Sequence, residues 1–202
     1  MPYRLTLLMR TSLVFLFLIP SAVNISFCQS GFFGQLSDAA IELTDHRVFY
    51  DPGYYSIGYP GGDVPSDRGV CTDVIIRAYR KLGIDLQKEV HEDMAANFSK
   101  YPPYWGLTRT DTNIDHRRVP NLMIFFKRQG ISLPVTASPV DYLPGDIVFW
   151  DLGRGISHVG IVVNKRSADG ERYLVVHNIG QGQVLEDCLF RFQTIGHYQY
   201  EK

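Results

Sequence analysis

The chain has 202 residues, 45% hydrophobic and 20% charged, which fits one compact domain and gives no sign of disorder or of repeats. Twenty lysines and arginines against 21 acids leave a formal net charge of −1. That balance removes the electrostatic case for a nucleic-acid partner or for attraction to an anionic membrane, so any partner is selected by a pocket.

Residues 1–30 differ in composition from the rest. Arg4 and Arg10 precede the apolar run Leu13–Ile19, Pro20 ends it, and small or polar residues continue through Ser30. This is the layout of a secretory signal, and it divides the chain into a 1–30 leader and a single 31–202 domain. The run is too short to span a bilayer. Membrane contact is therefore expected only through an uncleaved leader or a lipidated Cys28, and Phe27 is bulky where the residue before a lipidated cysteine is small. The expected location is the periplasm or cell envelope. Export makes a Cys71–Cys188 disulfide the alternative to a free thiol at Cys71.

In the mature part, Leu36, Ala39, Ala40 and Leu43 recur at helical spacing behind Ser37 or Asp38 as caps. The stretch Asp51–Pro65 is dense in Gly, Pro and Tyr and reads as an irregular loop. Then Val74, Ile75, Ala78, Tyr79 and Leu82 mark a helix ending at Gly83, which puts Cys71 in its first turn. Unpaired N–H groups and the helix dipole favour thiolate there, so a free, low-pKa thiol is expected. A further helix begins at Val90 with Met94 and Phe98 on one face. His91, Glu92 and Asp93 are adjacent on it and point in different directions, which argues against a metal cluster. Ser99–Arg118 reads as loop. Its polar cluster Asn113–Arg118 is either an ion-pair knot or a means of presenting Arg117 or Arg118 to a substrate carboxylate. Pro120 opens the helix Asn121–Gln129, which Gly130 closes.

From Pro144 the pattern is β. Ile147–Trp150, Ser157–Val163 and Tyr173–Asn178 are apolar strands, and the Asp169-Gly170 turn makes the last two a hairpin. In an antiparallel pair the start of one strand faces the end of the other, so His158 lies beside His177 or Asn178. Those two neighbours point to opposite faces, and the pattern alone leaves open which of them orients His158.

Taken in order, Cys71 at a helix start, Pro144-Gly-Asp-Ile-Val-Phe149, Ser157-His-Val-Gly-Ile-Val162 and Val176-His177 resemble the motifs of NlpC/P60 and CHAP papain-like amidohydrolases. More narrowly, Gly69-Val-Cys-Thr-Asp-Val74, Asn113-Ile-Asp-His-Arg-Arg118 and Val176-His-Asn-Ile-Gly180 resemble a bacterial family of unknown function, DUF1287, from about Leu36 to Tyr198. The resemblance implies an α+β, papain-like fold with helices packed on an antiparallel sheet. It implies Cys71 as nucleophile, His158 as general base and His177 as polar third member, with Tyr59 lining the cleft. It implies no cofactor and no metal, and peptidoglycan or another peptide as substrate. Many NlpC/P60 members carry Asp before and Ser-Gly after the nucleophile, where this chain has Val70 and Thr72-Asp73, so the substrate subsite differs. Beside the exported cysteine amidohydrolase stand two alternatives. One is an inactive wall-peptide binding or scaffolding domain, as would follow if Cys71 were locked to Cys188; the other is a metal hydrolase using His91, His116 and nearby acids, for which no ligand pair has a firm spacing.

Overall fold

The computed structural model describes Met1 and residues 31–202, so the expected leader and Cys28 lie outside the described residues. Among the described residues no helix is long and apolar enough to cross a membrane. The architecture is α+β, with helices packed on one face of an antiparallel sheet. The helices are α1 (Phe32–Leu43), α2 (Cys71–Lys81), α3 (Leu86–Ala96) and α4 (Val119–Gln129). Two short strands, β1 (Phe49–Tyr50) and β2 (Arg68–Gly69), pair in parallel and bracket the Gly/Tyr-rich loop ahead of α2.

The main sheet holds β3 (Ile131–Ser132), β4 (Ile147–Asp151), β5 (Ser157–Arg166), β6 (Tyr173–His177), β7 (Val184–Glu186) and β8 (Gln193–Gln199), in the order β3-β8-β4-β5-β6-β7. All five pairings are antiparallel. The expected hairpin is present, with Ile161 opposite Val176 and Val162 opposite Val175.

Strand alternation sorts the sheet into two faces. Phe149, Val159, Ile161, Val163 and Val176 join the core made with α1, α2 and α4, where Leu36, Ile75, Tyr79, Leu122 and Phe126 are also buried. Val148, Trp150, Val162, Val175, Cys188 and Leu189 form a smaller cluster on the opposite face. By the same alternation His158 and His177 belong to that second face, and the His158 ring lies 5.9 Å from Trp150. Hydrogen bonds tie the layers together: Ser37 Oγ accepts from the Asn164 N–H at 2.8 Å, and the Tyr79 hydroxyl donates to the Tyr200 carbonyl at 3.0 Å.

Several elements differ from expectation for physical reasons. Helix α3 starts at Leu86 because Asp85 caps it, accepting from the Lys88 N–H, and Phe98 falls in a separate 3-10 turn. Strands β7 and β8 lack a sequence signature. Strand β8 is inserted beside β4 with a break in register and is buried without alternation over Gly196–Tyr198, and β7 has three residues.

The start of α2 is held from outside the helix. The Asp73 carboxylate accepts from the Val70 N–H at 2.7 Å, the carboxylate half of a capping box. It also receives the Arg117 guanidinium at 2.9 and 3.0 Å, and both side chains are 3% exposed. Removing one partner of such a buried pair strands the other charge. Asp73→Ala is therefore expected to lower the unfolding free energy by about 3–5 kcal/mol, measured by urea denaturation; an unchanged midpoint would show that the pair does not hold the helix start.

Candidate active site

Cys71 is the first residue of α2, 5% exposed, and not in a disulfide. The backbone N–H of Val159 on β5 and those of Cys71 and Thr72 are directed toward its sulfur. Cys188 is free as well and sits in the opposite core cluster, so no bridge joins the two thiols.

A file of side chains runs across β5, β6 and β7. His158 Nε2 lies 2.9 Å from His177 Nδ1, and His177 Nε2 lies 2.8 Å from Glu186 Oε2. Arg191 holds the other carboxylate oxygen of Glu186. The file fixes the proton positions. A carboxylate can only accept, so His177 carries its proton on Nε2 and offers the lone pair of Nδ1. His158 then donates from Nε2, which leaves its Nδ1 unprotonated. That nitrogen makes no hydrogen bond to any described residue. A three-group orienting logic is thus extended by one member.

Gly160 makes the file possible. It stands opposite His177 in the strand register, and a Cβ there would meet Val175 Cγ1 at 2.6 Å and His177 Cβ at 3.2 Å. Beside the thiol lies a cavity of about 160 Å³ lined by Tyr50, Pro52, Val70, Cys71, Ile114, Arg117, Val119 and Ser157. Ser157 immediately precedes His158, so the cavity opens at the start of β5. In this state no hydrogen bond joins the thiol directly to His158.

The protonation states are set by burial. It pushes the Cys71 thiol up to about 12 against the pull of the three N–H groups, and Asp73 adds to the rise. Burial, with His177 adding to it, holds His158 down at about 3, and burial also lowers His177 against the opposing pull of Glu186. The Glu186 carboxyl is raised by burial, but the bonds from Arg191 and His177 outweigh this and bring it below its ordinary value. The resting pair is thus thiol and neutral imidazole. The expected low-pKa thiol is corrected: desolvation exceeds what a helix start supplies.

The other candidate residues separate. Asn178 braces the loop ahead of the nucleophile, its Nδ2 donating to the Gly69 carbonyl and its Oδ1 accepting from the Gly180 N–H, each at 3.2 Å. It therefore does not orient His158, and His177 does. Arg117 lines the cavity, but its guanidinium is committed to Asp73 and to the carbonyls of Gly53 and Asp51. Arg118 stacks 4.4 Å over the Trp105 ring and is not among the cavity residues. Tyr59 does not line the cavity either. Its ring packs edge-on against His91 at 5.2 Å, and Tyr50 holds the wall expected of it. His91 bonds Asp115, and His116 is buried and held neutral at about 3 chiefly by desolvation. Those two histidines are not part of the one His/Cys/Asp/Glu group within ligating distance among the described residues, which is His177, Glu186 and Cys188. Glu186 was not foreseen; only its place at the end of Val184-Leu185-Glu186, opposite Val175, pointed to it.

The model of the family described as "Domain of unknown function (DUF1287)" matches residues 37–200. An uncharacterized protein, YijF of Escherichia coli (strain K12), is 52% identical over 165 residues, 82% of this chain and 80% of that protein. A probable endopeptidase p60 of Listeria innocua is 39% identical over 75 residues, covering 30% of this chain and 16% of its own length. A structure of NlpC1 from Trichomonas vaginalis aligns with 83% of this chain and 44% of that chain, at a TM-score of 0.44 and 17% identity.

The protonation states carry a prediction. With a pKa near 12, roughly one Cys71 in 10⁴ is thiolate at pH 8 in the absence of substrate. Iodoacetamide should therefore label Cys71 of the native protein slowly at pH 8 and faster through pH 10, with unfolding in urea giving the rate of an ordinary thiol. An inflection below pH 8 in the native protein would contradict the buried neutral thiol.

Proposed function

The chain belongs to the DUF1287 family, whose description names no activity, and from its site we propose that it is an exported cysteine amidohydrolase acting on peptidoglycan peptide amide bonds. One observation carries the reading. The Glu186–His177–His158 file leaves a single unprotonated nitrogen, His158 Nδ1, on the strand whose next residue, Val159, directs its N–H toward the helix-start thiol. The partial similarity to proteins named probable endopeptidases supports the same class. The basic, apolar and small-residue layout of residues 1–30 supports export.

In the proposed reaction a peptide carbonyl enters the cavity between Tyr50, Cys71 and Ser157. His158 Nδ1 takes the thiol proton as sulfur attacks the carbonyl carbon, and the backbone N–H of Cys71 stabilises the oxyanion. The imidazolium returns that proton to the leaving amine, and water hydrolyses the thioester with His158 again as base. Because the resting pair is neutral, proton transfer accompanies attack. His158 and the thiol lie on opposite faces of β5 and are not in hydrogen-bond contact here, so the proposed transfer requires the substrate complex to bring them together round the start of that strand. His177 and Glu186 hold the tautomer that makes Nδ1 the acceptor, and Glu186 offsets charge as the imidazolium forms.

A Cys71–Cys188 bridge, which would have favoured the inactive binding-domain alternative, is absent: both thiols are free and lie in separate clusters. The decisive experiment incubates the purified chain with defined muropeptides and identifies products by mass spectrometry. Cys71→Ala and His158→Ala are expected at background, because nucleophile and base act as a unit. His177→Ala should cost about 10²–10⁴-fold, the span of a positioned acid–base system. Glu186→Gln, acting through His177, should cost about 10–100-fold, as loss of an outer-shell orienting group does. Full activity in Cys71→Ala would end the hydrolase reading.

A further inference from the structure

The proton file ends at a thiol that the proposed reaction does not use. Cys188 Sγ lies 3.6 Å from His177 Nε2, the nitrogen that also faces Glu186 Oε2. The ligating atoms of His177, Glu186 and Cys188 all lie within 4.8 Å of one another. One imidazole nitrogen, one sulfur and one carboxylate oxygen are a donor set suited to Zn²⁺, with a fourth position left for water.

We propose that His177, Glu186 and Cys188 form a binding site for Zn²⁺ or a similar thiophilic divalent ion, and that its occupation switches off the base at His158. The site does not depend on the hydrolase reading; the consequence for catalysis does.

The geometry is close to what the ion requires. Tetrahedral zinc with Zn–N of about 2.0–2.1 Å and Zn–S of about 2.3 Å sets N and S roughly 3.5 Å apart. The separation here is 3.6 Å. The nitrogen–oxygen pair, now in hydrogen-bond contact at 2.8 Å, has to open by about 0.6 Å to admit the ion. Glu186 can supply that movement because its side chain is 32% exposed, whereas those of His177 and Cys188 are buried. The exposed carboxylate is also the open side through which an ion arrives. Outer partners are already in place: Arg191 holds Glu186 Oε1, and His158 engages His177 Nδ1. Binding deprotonates the thiol, whose proton leaves to solvent, so the charges on the ligands are one thiolate and one carboxylate against the ion and Arg191.

The consequence follows from proton positions alone. The ion takes the Nε2 lone pair of His177, so the proton of that ring moves to Nδ1 and is donated to His158 Nε2. His158 must then carry its own proton on Nδ1. The nitrogen that accepts the Cys71 proton in the unoccupied site is thereby filled.

The test uses the full chain, purified reduced and metal-free, with Co²⁺ and Zn²⁺ as probes. Co²⁺ should produce a thiolate-to-cobalt charge-transfer band at one equivalent, lost in Cys188→Ser. Glu186→Gln keeps the thiol and should weaken binding by at least the roughly 10–100-fold that loss of an outer-shell partner costs; it serves if the cysteine variant fails to fold by circular dichroism. Long-range ¹H–¹⁵N correlation of the imidazoles should show the His158 proton on Nε2 without metal and on Nδ1 with saturating Zn²⁺. No band in the wild type, a band that survives in Cys188→Ser, or an unmoved His158 proton overturns the proposal. On muropeptides, Zn²⁺ should inhibit in proportion to site occupation. Because the band and the proton position are read without turnover, absence of hydrolysis would count against the hydrolase reading alone.

Discussion

The arrangement of this protein depends on the register between β5 and β6. Ile161 opposite Val176 places two apolar side chains in the helix-side core and, by alternation, sends His158 and His177 to the other face, where Nε2 and Nδ1 approach to 2.9 Å. A slip of one residue would exchange the faces, burying the imidazoles against α1 and α2 and exposing the valines. The apolar core therefore enforces the polar file. Gly160 is the steric condition for it, since a Cβ at that position would collide with the partner strand.

Cys71 is positioned by a second constraint that meets the first at Val159. Helix α2 is amphipathic enough to seat itself against β5, but its first turn is tied down by Asp73, which holds the Val70 N–H and the Arg117 guanidinium at once. Arg117 in turn gathers the carbonyls of Asp51 and Gly53, so the loop that walls the cavity and the helix that carries the thiol are fixed by the same charge. Asn178 closes the circuit from β6 to Gly69. Three segments far apart in sequence thus converge on Cys71 through buried polar groups whose bonds are satisfied, the condition under which such groups specify one geometry.

What could be read from the residues, and what could not, divides along the range of the interactions. Helix α2 and the β5–β6 hairpin carry local signals: 3.6-residue periodicity ahead of Gly83, a two-residue Asp-Gly turn, and alternation within each strand. The Cys71 helix start and the His158–His177 adjacency were legible for that reason. Strand β8 pairs with β4 and β3 across 40 or more residues, and Glu186 reaches His177 from a three-residue strand after a glycine-rich link; neither leaves a periodic trace. Tyr59 and Arg118 looked like cleft residues because aromatic and cationic side chains on loops suit a cleft. Packing against His91 and Trp105 gave them ordinary partners instead. Arg117 was identified as a carboxylate binder, and it is one, but the carboxylate is the protein's own Asp73.

The protonation of Cys71 shows why placement does not determine reactivity. A helix start stabilises thiolate through a few N–H groups, while complete burial removes the water that would otherwise solvate the charge, and the second effect is the larger here. The same burial holds His158 neutral, so an ion pair at rest would place two charges where neither is solvated. The neutral pair is then the stable resting state, and in the proposed reaction the charges would form only as the sulfur bonds to a substrate carbonyl and the oxyanion meets a backbone donor. In that sequence Glu186 has a different role from that of the groups touching substrate. It lies at the far end of the file and determines which nitrogen of His158 is unprotonated; in the proposed reaction it would also stabilise the imidazolium. In the proposed reaction, the nitrogen that would accept the Cys71 proton is thus set by a carboxylate two rings away.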